Sequence, residues 1–545
     1  MADNKKQSFM QGIITLMLSQ VLIKALGLFY KLYLTNKEGF GDAGNAIYNS
    51  GFQIYALLLT ISSIGVPNAV AKLISEKLSV GDSLGARRIF KVAFAFFSIV
   101  GFCGSVFLFF GSKVIADKWL QIPEARLSLM ILAPSIFFVS LISVFRGYFN
   151  GHENMKPMAK SQAIEQFTKT VCTIVIVEAI CYFIGYKDLT SIMAAGANLA
   201  TSIATLMCLI YLVGLYNKKE KNEKFGKLKI YRRERVIHIV KKIIVIAMPL
   251  TLSAILGSLN KNIDSFTVVR GLKNFMEEEQ AKIQYGILSG KIDTLVTFPL
   301  SFNIAFATAL VPAISAAKAI GDIHSIKKRV SFSILTTILI GLPCSVGMII
   351  FAGQILKMLF PNASSGEFIY QISSISIVFI TIEQTVNGAL QGLGKVNVPV
   401  IALAIGVFVK LILNLILVRI NPNNFVLGGV AGAAFATVVC HIISASISFV
   451  ALMKNIKIKF NIIKFLIKPI IASTIMGLSG IYMYKLLNCI ILQNIAIILT
   501  IIFAVVIYIA TLFLIRIFNQ EELYMIPLYS KTKKLRNKIQ KTRKP

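Results

Sequence analysis

The sequence predicts an all-α polytopic membrane protein: fourteen transmembrane helices forming two pseudo-symmetric six-helix bundles, followed by a C-terminal helix pair. Three observations point there. The 545 residues are 56% hydrophobic and only 15% charged, with a mean hydropathy of +0.74, too apolar for a chain that meets water on all sides. The apolar residues come in long Leu-, Ile- and Ala-rich runs rather than in alternating segments of about ten, so the spans are helices and not barrel strands. Finally, the chain repeats itself. From Gly147 it reads GYFNGHENMKPMAKSQAIEQFTK and from Gly388 GALQGLGKVNVPVIALAIGVFVK. Each copy places a second Gly four residues on (Gly151, Gly392), then a Pro (Pro157, Pro399), then a Lys 22 residues from the start (Lys169, Lys410). Two more echoes keep the same order. Gly81-Asp82 ahead of Arg87-Arg88 returns as Gly321-Asp322 ahead of Lys327-Lys328, and Ala195-Gly196-Ala197 with Ala200-Thr201 returns as Ala431-Gly432-Ala433 with Ala436-Thr437. Many transporters are built on such a helical repeat, with two bundles flanking a site near the membrane midplane and rocking against each other.

At about 20 residues per span the helices fall at 9–34, 46–70, 90–111, 127–149, 158–184, 190–216, 243–269, 286–316, 330–353, 367–390, 397–419, 428–453, 464–486 and 490–516. The first is retained, since MADNKKQSFM leads into apolar sequence with no small-residue cleavage signal. The second and eighth are followed by the Gly-Asp loops, the fourth and tenth by the GxxxG and Pro signature, and the sixth and twelfth carry Ala-Gly-Ala. These bounds give an N-terminal bundle (1–216), a basic linker (217–242), a C-terminal bundle (243–453), the extra helix pair (464–516) and a basic tail (517–545). Prolines at 67, 134, 249, 299, 312, 343 and 469 give many helices a weak point suited to bending between two states.

A net charge of +33 suggests nucleic acid when a chain is soluble. Here its distribution says otherwise. Of the 57 Lys and Arg residues, 40 fall on segments sharing a side with the N-terminus and 11 in the opposite loops. The positive-inside rule then places both termini in the cytoplasm, with no need for a nucleic-acid partner. The linker NKKEKNEKFGKLKIYRRERVIHIVKK interleaves basic residues with Ile and Val. It fits either an interfacial helix on anionic headgroups or an ordinary linker obeying the charge rule. The tail from Tyr529 onward is expected to be disordered. The seven Cys lie in or beside apolar spans without CxxC spacing and read as small core residues, not bridges or metal ligands. No GxxxxGK[ST] occurs, so nucleotide handling is not expected. No cofactor is expected either, beyond a coupling ion of unspecified identity.

A Lys at the centre of a spanning helix costs about 2.5–3.5 kcal/mol, so such residues face a bundle interior or a wet cavity. Six Lys (24, 31, 169, 261, 291, 410) and five acids (Glu165, Glu178, Asp264, Asp293, Glu383) lie well inside the spans. In the first helix Gln20, Lys24, Gly27 and Lys31 form one stripe at i, i+4, i+7 and i+11. Ser253, Gly257, Asn260 and Asp264 repeat it in the seventh, so the opening helices of the two halves present facing polar walls. The eighth helix adds Gly290, Asp293, Thr297 and Ser301, interrupted by Pro299. Glu165 and Lys169 stand at i, i+4 and either pair with each other or face a cavity. The same spacing recurs as Lys410 with Asn414 and Glu383 with Asn387. Lys31 and Lys291, near span ends, either line the cavity or snorkel to an interface. The candidate central cavity therefore comprises Lys24, Lys31, Gln53, Glu165, Lys169, Asn260, Asp264, Lys291, Asp293 and Lys410.

These features, with Phe298-Pro299, Leu310-Val311-Pro312, the opening LSQVLIKALGLFYKLYL and SIGVPNAVAKLISEKLSVGD, resemble the polysaccharide-transporter branch of the multidrug/oligosaccharidyl-lipid/polysaccharide exporter superfamily. Within it the chain looks most like the stage V sporulation protein B group and its lipid II flippase relatives. The resemblance covers nearly the whole chain. It implies export of an undecaprenyl-pyrophosphate-linked saccharide to the outer leaflet, for cell wall or spore cortex, with anionic lipids around the protein and cell-wall synthesis enzymes as partners to be sought. It also implies a cavity with cations on helices one, two and eight; Lys24 and Lys31 match the first-helix part, and Lys291 lies near the eighth-helix part. The second helix departs from that pattern, offering only Gln53. The resemblance further implies a groove for the lipid tail on the last two helices.

Two rivals remain at this level, beside a non-transporting scaffold in which Lys24 and the repeat have no obvious purpose. A cation-coupled multidrug antiporter with Asp264 or Glu165 as its ion site usually has twelve helices and no extra pair. A membrane glycosyltransferase or polymerase normally needs a sizeable aqueous loop with paired carboxylates. The largest outer loop here offers only the run Glu277, Glu278 and Glu279, more suited to a solvated helix start.

Overall fold

The computed structural model describes residues 22–518 except 64, 153, 155, 185–188, 223–233 and 458–460. Expectations for residues 9–21, Gln20 among them, for most of the linker, for Lys187 and for the tail beyond 518 lie outside the described residues. So do those for the side chains of Pro249, Ser253 and Pro312.

Among the described residues all regular structure is helical. The first helix, α1, covers 22–36. It is followed by α2 (Gly41–Ser63), α3 (Gly65–Ser79), α4 (Ser83–Val114, running into a π-helical turn Ile115–Leu120), α5 (Ala125–Gly151), α6 (Lys156–Ile184) and α7 (Leu189–Asn222). The second half comprises α8 (Val236–Leu272), α9 (Glu278–Gly286), a π-helical turn Ile287–Ile292, α10 (Asp293–Ala319), α11 (Ile323–Ile350), the short α12 (Ala352–Leu359), α13 (Glu367–Gly392), α14 (Asn397–Leu417) and α15 (Val430–Ile456). A π-helical turn Ile463–Ile467 leads into α16 (Lys468–Asn488), and α17 (Gln493–Leu514) ends the described fold. Among the described residues eleven helices are long and apolar enough to cross a membrane, α2 and α3 counting as one. With α1, α8 and the α9–α10 rod the number is consistent with fourteen. The protein is an integral, multi-pass membrane protein. Its outward faces carry side chains such as Phe102, Phe107 and Phe110 on α4 and Ile502 and Phe513 on α17, all exposed, as hydrocarbon requires.

The internal repeat is visible as repeated packing. Gly81 (φ +81°) and Gly321 (φ +70°) both sit in the left-handed region, where a side chain is strained. The Asp that follows each caps the next helix, Asp82 accepting from Gly85 N at 2.7 Å and Asp322 from Ser325 N at 2.9 Å. The two GxxxG pairs do the same work in both halves. A Cβ at Gly151 would strike Ile74 and the Ala71 carbonyl, and one at Gly392 would strike Ile314 and the Val311 carbonyl. Thus α5 is seated on α3 as α13 is on α10. Similarly, Gly196 brings α7 against Ile176 and Ile180 of α6, and Gly432 brings α15 against Leu417 of α14. The terminal pair stands outside this symmetry and docks on the second half: Gly477 meets Ile350, and the Tyr508 hydroxyl donates to Leu339 O at 2.9 Å.

Two ends of the bundle can be told apart. The basic end carries the loops at 79–83, 151–156, 319–323 and 392–397; the opposite end carries those at 36–41, 120–125, 272–278 and 359–367.

Candidate functional site

Between the halves, α1 and α2 face α8 and the α9–α10 rod across a cleft. It consists of a cavity of about 190 Å³ on the first-half side and one of about 300 Å³ on the second-half side. Gln53, Lys261, Ser289, Asp293 and Thr297 line both, so the two cavities adjoin. The π-helical turn and the Asp293 end of α10 form its central wall, and such turns commonly mark functional sites.

On the second-half wall each lysine is paired with a carboxylate of the same wall. Lys410 Nζ donates to Asn260 O at 2.6 Å and Asp264 Oδ2 at 2.7 Å, and Asn414 Nδ2 donates to Asp264 Oδ1 at 2.8 Å. Lys261 holds Asp293 at 2.7 Å. Glu383 accepts from His441 Nδ1 at 2.8 Å and from Ser444 Oγ at 2.6 Å. The first-half wall is different. Lys24 is exposed into the smaller cavity. Lys31 is buried, donates to Asn49 Oδ1 at 3.0 Å and lies 4.4 Å over the Tyr48 ring. Lys169, also buried, lies 4.3 Å over Phe52 and 5.2 Å over Tyr30. Among the described residues none of these three amines has a carboxylate partner; the rings supply a weaker electrostatic attraction in its place. Lys31 and Asp264 are the fourth members of the two stripes. The repeat therefore sets a Lys31–Lys169 neighbourhood in one half against a Lys410–Asp264 pair in the other.

Seven of the ten sequence candidates line the cleft: Lys24, Lys31, Gln53, Asn260, Asp264, Asp293 and Lys410. Three lie elsewhere. Glu165 pairs with Arg146 of α5 at 2.8 Å, not with Lys169. The i, i+4 spacing puts Glu165 and Lys169 on one face, but α5 offers the carboxylate a guanidinium and α2 offers the amine aromatic rings. Lys291 neither lines the cleft nor snorkels. It is fully buried and donates to Asp42 Oδ2 at 2.9 Å, Ala363 O at 2.6 Å and Ser365 O at 2.9 Å. The stripe Gly290–Ser301 also breaks, because the π-helical turn offsets the register. Gly290 faces Asn45 of α2, while Asp293 and Thr297 face the cleft. The sequence left His441 unnoticed. It lines the larger cavity and reaches Asn260 Nδ2 through Nε2 at 3.3 Å. The one available signal was its place on α15 beside the Ala-Gly-Ala echo, since Glu383 is 58 residues away.

At the opposite end the halves are tied together. Besides Lys291–Asp42, Lys282 pairs with Glu124 at 2.7 Å, Arg270 donates to Lys118 O at 2.9 Å, and Asn36 donates to Leu359 O at 2.7 Å. A Cβ at Gly286 would collide with the Asp42 carbonyl, so the absence of one lets α9 touch α2. At the basic end Lys77 of α3 and Lys242 of α8 both bind Glu234, at 2.9 and 2.8 Å.

Comparison with known proteins agrees with this architecture. Residues 9–318 match the family model described as polysaccharide biosynthesis protein, and residues 291–416 match the MatE model. Stage V sporulation protein B of Bacillus subtilis strain 168 is 24% identical over 459 residues, 83% of this chain and 86% of that one. Lipid II flippase MurJ of the same organism is 23% identical over 494 residues, 86% of this chain and 87% of that one. Among solved structures, lipid II flippase MurJ in an inward closed conformation superposes with a TM-score of 0.65 at 15% identity, covering 91% of this chain and 98% of the other. These relatives carry the names of a sporulation protein and a flippase rather than of enzymes. The chain belongs to the polysaccharide biosynthesis protein family.

Proposed function

We propose that the chain is a flippase that carries an undecaprenyl-pyrophosphate-linked saccharide, such as lipid II or a polysaccharide precursor, from the cytoplasmic to the outer leaflet of a bacterial cell membrane. The single observation behind this is the charge left in the cleft. Once the second-half pairs are subtracted, Lys24 and Lys31 remain without carboxylates on the first-half wall, with Lys169 buried against the Phe52 and Tyr30 rings that line it. A phosphate crossing hydrocarbon unaided faces a desolvation barrier of many kcal/mol, and amines in a wet cleft supply charge-assisted donors that lower it. The prenyl chain stays in lipid, with α16 and α17 as the flanking surface. The basic end lies in the cytoplasm by the positive-inside rule. The ties at the opposite end then describe a state loaded from inside, and their release delivers the headgroup outside.

The curated relatives named for sporulation and for lipid II flipping support the substrate class. A cation–drug antiporter fits less well, because Asp264 is already saturated by Lys410 and Asn414. The test is leaflet exchange in vesicles containing the purified chain. Fluorescent lipid II should equilibrate faster than in empty vesicles, while fluorescent phosphatidylcholine and a lipophilic cationic dye should not. Acceleration of the cation alone, or of nothing, contradicts the proposal.

A further inference from the structure

We infer that the Glu383–His441 pair is a proton-binding site, and that its protonation state sets how tightly α8 holds to the second-half wall. The inference rests on the two-state cycle proposed above and adds the ion that biases it.

The tautomer follows from the contacts. Glu383 is a carboxylate that accepts from Ser444 Oγ and from His441 Nδ1, so the imidazole proton is on Nδ1. Nε2 is then a lone-pair acceptor, and it faces Asn260 Nδ2 of α8 at 3.3 Å. Asn260 Oδ1 is buried with no partner, and the Asn260 backbone carbonyl is already taken by Lys410. In this state the link from α8 to α15 is a long, neutral N–H···N bond. A proton arriving from the cleft, which both Glu383 and His441 line, adds to Nε2 and turns it into a donor. Two donors now oppose each other. The amide of Asn260 rotates, its orphaned Oδ1 accepts from Nε2–H, and a neutral bond becomes a charge-assisted one of about twice the strength. The protonated pair therefore grips α8, the helix that opens the second half and contacts the first; the deprotonated pair loosens it.

The lysines and the other carboxylates that line the same cavity are paired with one another. On α8 and α14, Asp264 is bound to Lys410; on α8 and α10, Lys261 is bound to Asp293; on α15, Cys440 lies beside His441 in sequence. The two ion pairs are internally neutral, which leaves the Glu383–His441 pair as the group there that takes up the proton.

The chain has a native reporter of the seam. Its one Trp, Trp119 in the first half, packs edge-on against Phe266 of α8 with ring centroids 6.4 Å apart. In substrate-free vesicles containing the full chain, Trp119 emission should change with pH along a single titration curve. Glu383→Gln and His441→Gln should each abolish it, and Glu279→Gln, in the exposed first turn of α9, should keep it. An emission maximum at high pH matching wild type shows that a variant is folded. A flat wild-type response, or an unchanged response in both site variants, overturns the inference. No lipid is transported in this assay, so a normal titration in a protein that fails to exchange lipid II would sink the flippase reading and leave the proton site standing.

Discussion

Lys291 shows what a buried amine does when the protein, rather than a ligand, supplies its partners. With Asp42 and two loop carbonyls around it, removal of the amine leaves a buried carboxylate unpaired, which costs about 3–5 kcal/mol. Lys291→Met should therefore lower the thermal midpoint in detergent sharply. Lys291→Met combined with Asp42→Asn should recover much of the loss. Equal midpoints for the single and double variants would show that the pair is not coupled. Lys24 has no carboxylate to strand, so Lys24→Ala should leave the midpoint nearly unchanged. The sequence made these two lysines look alike, because each interrupts an apolar span. What separates them is Asp42, 249 residues from Lys291 and brought to it only by the crossing of α2 with the π-helical turn. His441 was illegible for the same reason, since a lone His on a helix announces nothing until Glu383 arrives from α13. Glu165 and Lys169 misled in the opposite sense: helical spacing fixes a shared face, while neighbouring helices choose the partners.

At the scale of elements, what the sequence displayed most clearly was close packing, because only glycine permits it and glycine is visible in a string of letters. Gly151 and Gly392 seat equivalent helix pairs, so Gly151→Val and Gly392→Val should each cost about 1–3 kcal/mol through overpacking. The two thermal shifts should match within the error of the measurement; a large effect in one half alone would argue against equivalent packing. The π-helical turns were not legible, since they lack a residue signature, and that at 287–292 displaced Gly290 from its expected face. The joint between α3 and α8 carries a pH dependence of definite sign. Hydrogen bonds from Lys242 and then Lys77 hold the Glu234 carboxyl below its ordinary range. A carboxyl depressed in the folded state contributes stability above its unfolded pKa, near 4.3, and loses that contribution as pH falls through the folded value. Glu234→Gln should thus melt below wild type at neutral pH, and the gap should close on acidification. A gap independent of pH would remove the electrostatic account of this joint.

For the molecule as a whole, duplication supplied two similar walls and divergence gave them different charge. The halves and their order were readable from the echoes at Gly147 and Gly388. The asymmetry was not, because six lysines and five acids inside the spans read as a balanced inventory until the structure shows who pairs with whom. After pairing, the second-half wall has no unpaired cation, while the first-half wall presents Lys24 and Lys31 with Lys169 buried behind its aromatic rings, so the cleft suits an anionic headgroup. The most direct measurement is the rate of lipid II leaflet exchange in vesicles containing Lys24→Ala/Lys31→Ala, beside wild type and Lys24→Arg/Lys31→Arg. Hydrogen bonds to a charged group contribute about 1.5–3 kcal/mol, or roughly ten- to a hundredfold in rate for each one lost. The alanine pair should fall by at least about tenfold while the arginine pair retains most of the activity. Exchange at the wild-type rate in the alanine pair would contradict the assignment of the first-half amines to the substrate's phosphates.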